Sequence, residues 1–195
     1  MRKTWNALAI TGLAGAALVL PAAAPATAAP GGGNHCVTNV SKGTTSCYGT
    51  FRQSIAAATG GQIKDAPLNP AEALGNKAFA ARINAISELN KAGATQFAVT
   101  LSIEYDYPYM QTTDGTNTFT GDYGCDNSND VDWNVSYVGD DWNDRISSFE
   151  TYSNCSNIHY DHAGFGGQSS GIHQSIGSMQ DSFGMGNVTS SIEWV

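Results

Sequence analysis

The chain has 195 residues, of which 9 are basic and 17 acidic, for a formal net charge of −8 at neutral pH. A charge of that sign argues against nucleic acid or an anionic membrane as partner. The four cysteines, Cys36, Cys47, Cys125 and Cys155, form no CxxC pair, which argues against a thiolate zinc site, and their even number suits disulfides.

Residues 1–28 have the pattern of a secretory signal peptide. Arg2 and Lys3 open it, an apolar run reaches Leu20, and Ala26-Thr27-Ala28 supplies the small residues of a cleavage site. The apolar run is shorter than the about 20 residues that span a bilayer. Without Arg2 and Lys3, seven basic residues face 17 acidic ones, a charge of −10 on the mature chain. Eleven of the acids lie from Glu104 to Glu150, a stretch whose basic residue is Arg145. They are either a solvated surface or an oxygen-rich environment for a hard cation such as calcium. Export favours disulfides. Three pairings are possible, and sequence proximity favours Cys36–Cys47 and Cys125–Cys155, the first closing a loop worth about 2–3 kcal/mol.

A flexible start at 29–35 leads into a helical N-terminal segment at 36–95. Thr50-Phe-Arg-Gln53 reads as a capping box for a helix, FRQSIAAA, stopped by Thr59-Gly60-Gly61. A second helix has Asn69 to cap it, Pro70 at its first position, and Phe79, Ile83 and Ile86 at helical spacing up to Gly93, with Gly75-Asn76 interrupting its first turns. From Phe97 the period becomes two: Phe97, Val99, Leu101, Ile103, Tyr105 and Tyr107 alternate with smaller or polar residues, as in a strand with one buried face. Beyond it, short alternating runs at Trp133–Tyr137 and Ile192–Trp194 stand among Gly, Ser, Asn and Asp clusters, the pattern of an antiparallel sandwich or barrel. The β domain is expected over residues 96–195, and the mature chain is long enough for one good core but hardly for two.

Two stretches carry the functional signal. Asn143-Asp144-Arg145-Ile146-Ser147-Ser148 and Gly186-Asn187-Val188-Thr189-Ser190-Ser191 repeat one pattern, two small residues, two spacers and two hydroxyls, at an interval of 43 residues. Before the second copy, Tyr160, Phe165 and Gly167 stand at relative positions 0, +5 and +7. A glycine so placed lets a hairpin fold over its own sheet with the aromatics beneath.

This combination, Y-x-x-x-x-F-x-G followed by an N/D-N/D-x-x-S/T-S element, resembles the Greek-key motif of the βγ-crystallin superfamily, in the calcium-binding form of its microbial secreted members. The fold that the resemblance implies is mainly β, a two-Greek-key βγ-crystallin-like sandwich preceded by the short helical N-terminal segment. In the first half Phe119-Thr-Gly121 matches F-x-G, Asp114 occupies the aromatic's place, and Tyr105 is the expected substitute, with the intervening segment as an enlarged hairpin. The family's clamps are crossed, so the resemblance implies one calcium site from Asn143, Asp144 and Ser190 and another from Asn187 and Ser147, completed by backbone carbonyls. Gly186 departs from the pattern, which prefers Asn or Asp there, and a glycine can offer its carbonyl alone. The pattern does not account for residues 30–95.

Other signals fall short of a site. Asp126, Ser128, Asp130 and Asp132 imitate the start of an EF-hand, but Val131 and Tyr137 replace its glycine and final glutamate. Gly167-Gln-Ser169-Ser-Gly171 fits a nucleophile elbow, yet His173 precedes Asp181, the wrong order for a hydrolase triad. His159 and His162 point to opposite faces if they share a strand. The expectation is therefore a secreted, non-enzymatic protein with calcium as ligand, stabilised by the ion. Nucleic acid, and membrane after signal cleavage, are not expected partners. The rival is a secreted inhibitor of peptidases, notably metalloproteases, or a small antimicrobial toxin on the same fold, with Tyr107–Thr118 as the exposed loop an inhibitor would need.

Overall fold

The computed structural model describes residues 34–73, 75–93, 97–111 and 115–195. The signal peptide, most of the expected flexible start, and Asp114 lie outside the described residues.

The chain enters as a hairpin, β1 (His35–Asn39) and β2 (Thr44–Tyr48), in which Cys36 lies directly across from Cys47 and is disulfide-bonded to it. This corrects the reading of 36–95 as helical. The β-branched and alternating residues of HCVTN and TTSCY, turned by Gly43 at φ +61°, make strands before the helices begin. Helix α1 (Phe51–Ala58) follows where expected, with the Thr50 hydroxyl accepting from Gln53 N at 3.2 Å. Asn69 caps only a 3₁₀ turn, Pro70–Glu72. Helix α2 (Lys77–Lys91) starts after Gly75 with its own cap, Asn76, whose Oδ1 accepts from Phe79 N at 3.1 Å.

The remaining elements are β3 (Val99–Tyr105), β4 (Thr116–Gly121), β5 (Trp133–Val135), β6 (Ser148–Thr151), β7 (Asn157–His162), β8 (Gly166–Ser169), β9 (Ser175–Ile176), the short α3 (Met179–Phe183) and β10 (Ser191–Trp194). They build a six-stranded sheet, β2-β1-β4-β3-β6-β9, and a four-stranded sheet, β5-β10-β7-β8. The β1–β4 pair is parallel and the other pairs are antiparallel. The protein is thus mainly β, a sandwich with a short helical segment.

Two apolar clusters give the molecule three layers. Phe51, Ile55, Phe79, Ile83 and Ile86 of the helices pack with Ile103 and Tyr105 on one face of the large sheet. Leu101, Phe119, Phe149, Ile192 and Trp194 fill the space between the two sheets. Each such side chain contributes about 1.5–3 kcal/mol through burial. Strand β3 is central to both layers, so the one-faced reading of it is corrected: every residue from Val99 to Tyr105 is buried. A bulge between Thr100 and Ser102 turns Leu101 toward the sandwich while Ile103 and Tyr105 face the helices. Beyond the bulge, Ser102 and Glu104 face the other sheet, bonded to its Trp194 and Asn157.

The second disulfide, Cys125–Cys155, also forms as expected, and two disulfides suit an oxidising compartment. Among the described residues no helix is long and apolar enough to cross a membrane.

Candidate metal clamp

The folded hairpin forms at β7–β8. Tyr160 and Phe165 meet edge to face, ring centroids 5.8 Å apart. Gly167 stands at φ +75°, and a Cβ there would lie 1.7 Å from Asp161 Oδ1, so any other residue would have to displace that carboxylate. Ser191 pins the fold by donating to His162 O at 2.7 Å while its Oγ accepts from Phe165 N at 3.0 Å. The first half differs. Tyr105 does not stand in for the missing aromatic: its ring lies on the helix side of the large sheet, whereas Phe119 faces the sandwich and stacks near Trp194 at 5.1 Å. Gly121 makes room for Trp133, whose Cε2 would lie 2.8 Å from an added Cβ.

The two clamp turns lie side by side. Asp144 and Asn187, the second residue of each, both take left-handed backbone at φ 57°. Asp and Asn tolerate that conformation better than other side chains. Asp144 N donates to Thr189 O at 3.2 Å, and Asn187 N donates to Ile146 O at 3.0 Å, so each turn is tied to the strand entry of the other. Ser147 Oγ donates to Asn187 Oδ1 at 2.6 Å, joining residues 40 apart in the chain. The structure therefore brings Ser147 and Asn187 together.

Ser190 does not join Asn143 and Asp144 through its side chain. Ser190 instead uses its hydroxyl on Asp161 O at 3.0 Å and its carbonyl on Val138 N at 2.9 Å. Asn143 Nδ2 donates to Asp144 Oδ2 at 2.8 Å, and Asn143 Oδ1 is buried without a hydrogen-bond partner. A buried carboxamide oxygen left in this way costs about 1–3 kcal/mol, which a cation at the turn would relieve. The second turn lacks such an oxygen. A Cβ on Gly186 would meet Gln180 Cβ at 2.8 Å, because α3 covers that position.

A cavity of ≈ 320 Å³ opens beside the clamp, lined by Asp106, Tyr107, Pro108, Asp144, Arg145, Ser147 and Asn187. The Arg145 guanidinium lies 4.7 Å over the Trp142 ring, 3.5 Å from Asp106 Oδ2, and donates to Asp141 O at 2.7 Å. It lowers the negative potential there without occupying the turn itself. The donor set of the clamp is one carboxylate with amides, a hydroxyl and carbonyls, which suits a hard oxygen-seeking cation of modest affinity. Among the described residues no three His, Cys, Asp or Glu side chains converge as a metal centre.

The competing motifs resolve into local structure. Asp126 Oδ1 accepts from Ser128 N at 2.8 Å and Ser128 Oγ accepts from Asp130 N at 3.1 Å, which ties the pseudo-EF-hand into its own turn. Ser169 ends a hairpin strand and opens no helix. His159 is buried and His162 exposed, on opposite faces of β7. Sequence reasoning missed a buried polar group around His159 and Glu104, because alternation in β3 sets Glu104 opposite the apolar residues and nothing local pairs it with His159 on β7.

No family model matches the chain, and no curated protein matches it. Among solved structures it is similar to a betagamma-crystallin from an Archaea, at 18% identity over 49% of this chain and 98% of that one, with a TM-score of 0.35. So loose a superposition shows neither family nor ligand. The turns and hydrogen bonds of the chain itself carry the functional reading.

Proposed function

We propose that the protein is a secreted calcium-binding protein of βγ-crystallin type, in which the ion mainly stabilises the fold. The observation that carries this reading is the crossed pair of left-handed turns, joined by Ser147 and Asn187, with Asn143 Oδ1 unpartnered beside Asp144. Asn143, Asp144 and Ser190 belong to one site and Asn187 and Ser147 to the other. A ligand bound by the folded state alone adds RT ln(1 + [L]/Kd), so millimolar calcium at a Kd of about 10⁻⁴–10⁻³ M contributes on the order of 1 kcal/mol. Thermal unfolding in excess EDTA and in a few millimolar calcium tests it. The midpoint rises with calcium, and the rise shrinks in Asp144→Ala/Ser147→Ala; identical melts in both buffers would remove calcium from the reading.

One observation favours the rival, peptidase inhibition. Tyr107 and Tyr109 are 44% and 58% exposed on a segment held rigidly from below. Met110 N donates to Ser148 Oγ at 2.9 Å, Ser148 Oγ donates to Tyr107 O at 2.6 Å, and Tyr109 Oη donates to Asp181 Oδ2 at 2.7 Å. A rigid exposed loop is what a protease cleft engages. Titration of thermolysin-type and serine proteases decides: stoichiometric inhibition supports this second role, and cleavage within the loop or full residual activity counts against it.

A further inference from the structure

Between the sheets, remote from solvent, lies a polar group that neither reading uses. Glu104 on β3 and His159 on β7 are fully buried, with Glu104 Oε2 3.6 Å from His159 Nε2. Glu104 Oε1 accepts from Ser102 Oγ at 2.6 Å and from Asn157 Nδ2 at 2.9 Å, and Ser102 Oγ accepts from Trp194 Nε1 at 3.1 Å. Glu104 Oε2 has no hydrogen-bond partner. This network joins β3 of the large sheet to β7 and β10 of the small one.

The donors fix where protons sit. Asn157 Nδ2 can only donate, and it also faces His159 Nε2 at 3.4 Å, so Nε2 is an acceptor. The ring proton is then on Nδ1, directed at Thr189 Oγ1, 3.3 Å away. With a lone pair on Nε2, an ionised Glu104 would set two lone pairs against each other in a site shielded from water. A proton on Oε2 removes that conflict.

We propose that Glu104 and His159 hold a single proton between the two sheets, on Glu104 Oε2, and that this one-proton pair keeps the sandwich closed only across a bounded range of pH. Acid places a charge on the imidazole and alkali places one on the carboxyl, and either buried charge favours opening. Burial acts in the same sense on both groups: it pushes the Glu104 carboxyl up to about 8 and the His159 imidazole down to about 3. The neighbouring titratable groups do not substitute for the pair. From beyond β7 His173 depresses His159 further, while Tyr105 and Glu150 lie on the helix side of the sheet. Across the sheet Glu104 faces Asn117 on β4 and Phe149 on β6, which do not titrate.

The signs follow from linkage. As pH rises from 4.5 toward 8, unfolded chains lose the Glu104 proton and folded ones keep it, so stability falls. As pH drops from 6.5 toward 3, unfolded chains protonate His159 and folded ones do not, so stability falls in that direction also. The two slopes cancel between 4.5 and 6.5, leaving a plateau there. The pair acts without any ion, and the tests are made in EDTA.

Glu104→Gln copies the protonated acid: its carbonyl accepts from Ser102 and Asn157, and its NH₂ faces His159 Nε2. The wild-type melting midpoint falls by about 4–8 °C between pH 6.5 and 8, and Glu104→Gln loses most of that fall; with the His159 slope no longer offset, its midpoint climbs from pH 4.5 to 6.5, where the wild type is flat. An equal alkaline fall in both proteins would overturn the proposal. Ring ¹⁵N shifts of His159 in the wild type at pH 6 give an independent reading. A neutral ring protonated on Nδ1 supports the pair, and a proton on Nε2 or a doubly protonated ring overturns it, even if the variant fails to fold.

Discussion

The folded hairpin makes a quantitative claim about two glycines three residues apart. Gly164 and Gly167 have nearly the same backbone, φ +72° and +75°, but a Cβ on Gly164 would meet nothing within 4 Å, whereas one on Gly167 would lie 1.7 Å from Asp161 Oδ1. Alanine at either position costs about 1–2 kcal/mol for a left-handed non-glycine residue, less about 0.4–1 kcal/mol gained by restricting the unfolded chain. At Gly167 the Asp161 side chain must also rotate away and give up its 2.8 Å bond from Gln168 N, adding about 1–2 kcal/mol. Gly164→Ala should therefore lower the melting midpoint by about 2–4 °C and Gly167→Ala by about 4–10 °C. The difference has a functional readout, since the Asp161 carbonyl receives the Ser190 hydroxyl. Followed by circular dichroism in EDTA and in calcium, Gly167→Ala should also lose part of the calcium-induced rise that Gly164→Ala retains. Equal midpoints for the two variants would refute the close approach and, with it, the fold-over geometry.

Ser147→Ala breaks the cross-turn bond to the exposed Asn187, whose Oδ1 then turns to water, for a loss of about 1 kcal/mol measurable by urea unfolding in EDTA. Phe119→Ala empties the centre of the sandwich and should cost about 3–5 kcal/mol by the same assay. Opening Cys125–Cys155, which spans 30 residues, removes about 3–4 kcal/mol, seen as a lower urea midpoint for the double serine variant. A chain beginning at residue 96 should fail to give a cooperative melt, because β4 would lose the strand beside it and Ile103 and Tyr105 their helix cover.

What could be read from residues alone was whatever local chemistry determines. Thr50 and the Gly75-Asn76 break place the helices, the cysteine spacing places both disulfides, and Tyr160, Phe165 and Gly167 place the folded hairpin. Non-local pairing was not legible. The hairpin of His35 to Tyr48 is stabilised by lying beside β4, some 80 residues on, and no local period signals that. Alternation in β3 signals neither the bulge that sends Leu101 and Ile103 to different faces nor the cover over the opposite face, so it did not mark Glu104 as buried. A helical layer supplied by residues 51–91 made the large sheet two-sided and moved Tyr105 away from Phe119.

The asymmetry of the two clamps leads to the last prediction. Position 186 holds glycine where the first clamp holds Asn143, and the reason lies in α3: Gln180 Oε1 accepts from Gly186 N at 3.3 Å, and its Cβ occupies the space a side chain would need. The first turn, by contrast, offers both the Asp144 carboxylate and the unpartnered Asn143 Oδ1. Each added charged oxygen strengthens a calcium site, so the two turns should differ in affinity. Isothermal titration with calcium should give one dominant site per chain, abolished by Asp144→Asn/Asn143→Ala. Gly186→Asp should not create a second, because its Cβ displaces α3 before its carboxylate reaches the turn. Paired with Gln180→Gly, which removes that Cβ, the same aspartate should restore measurable binding at the Asn187 turn. Two equal sites in the wild type, or a gain from Gly186→Asp alone, would show that α3 does not govern the second clamp.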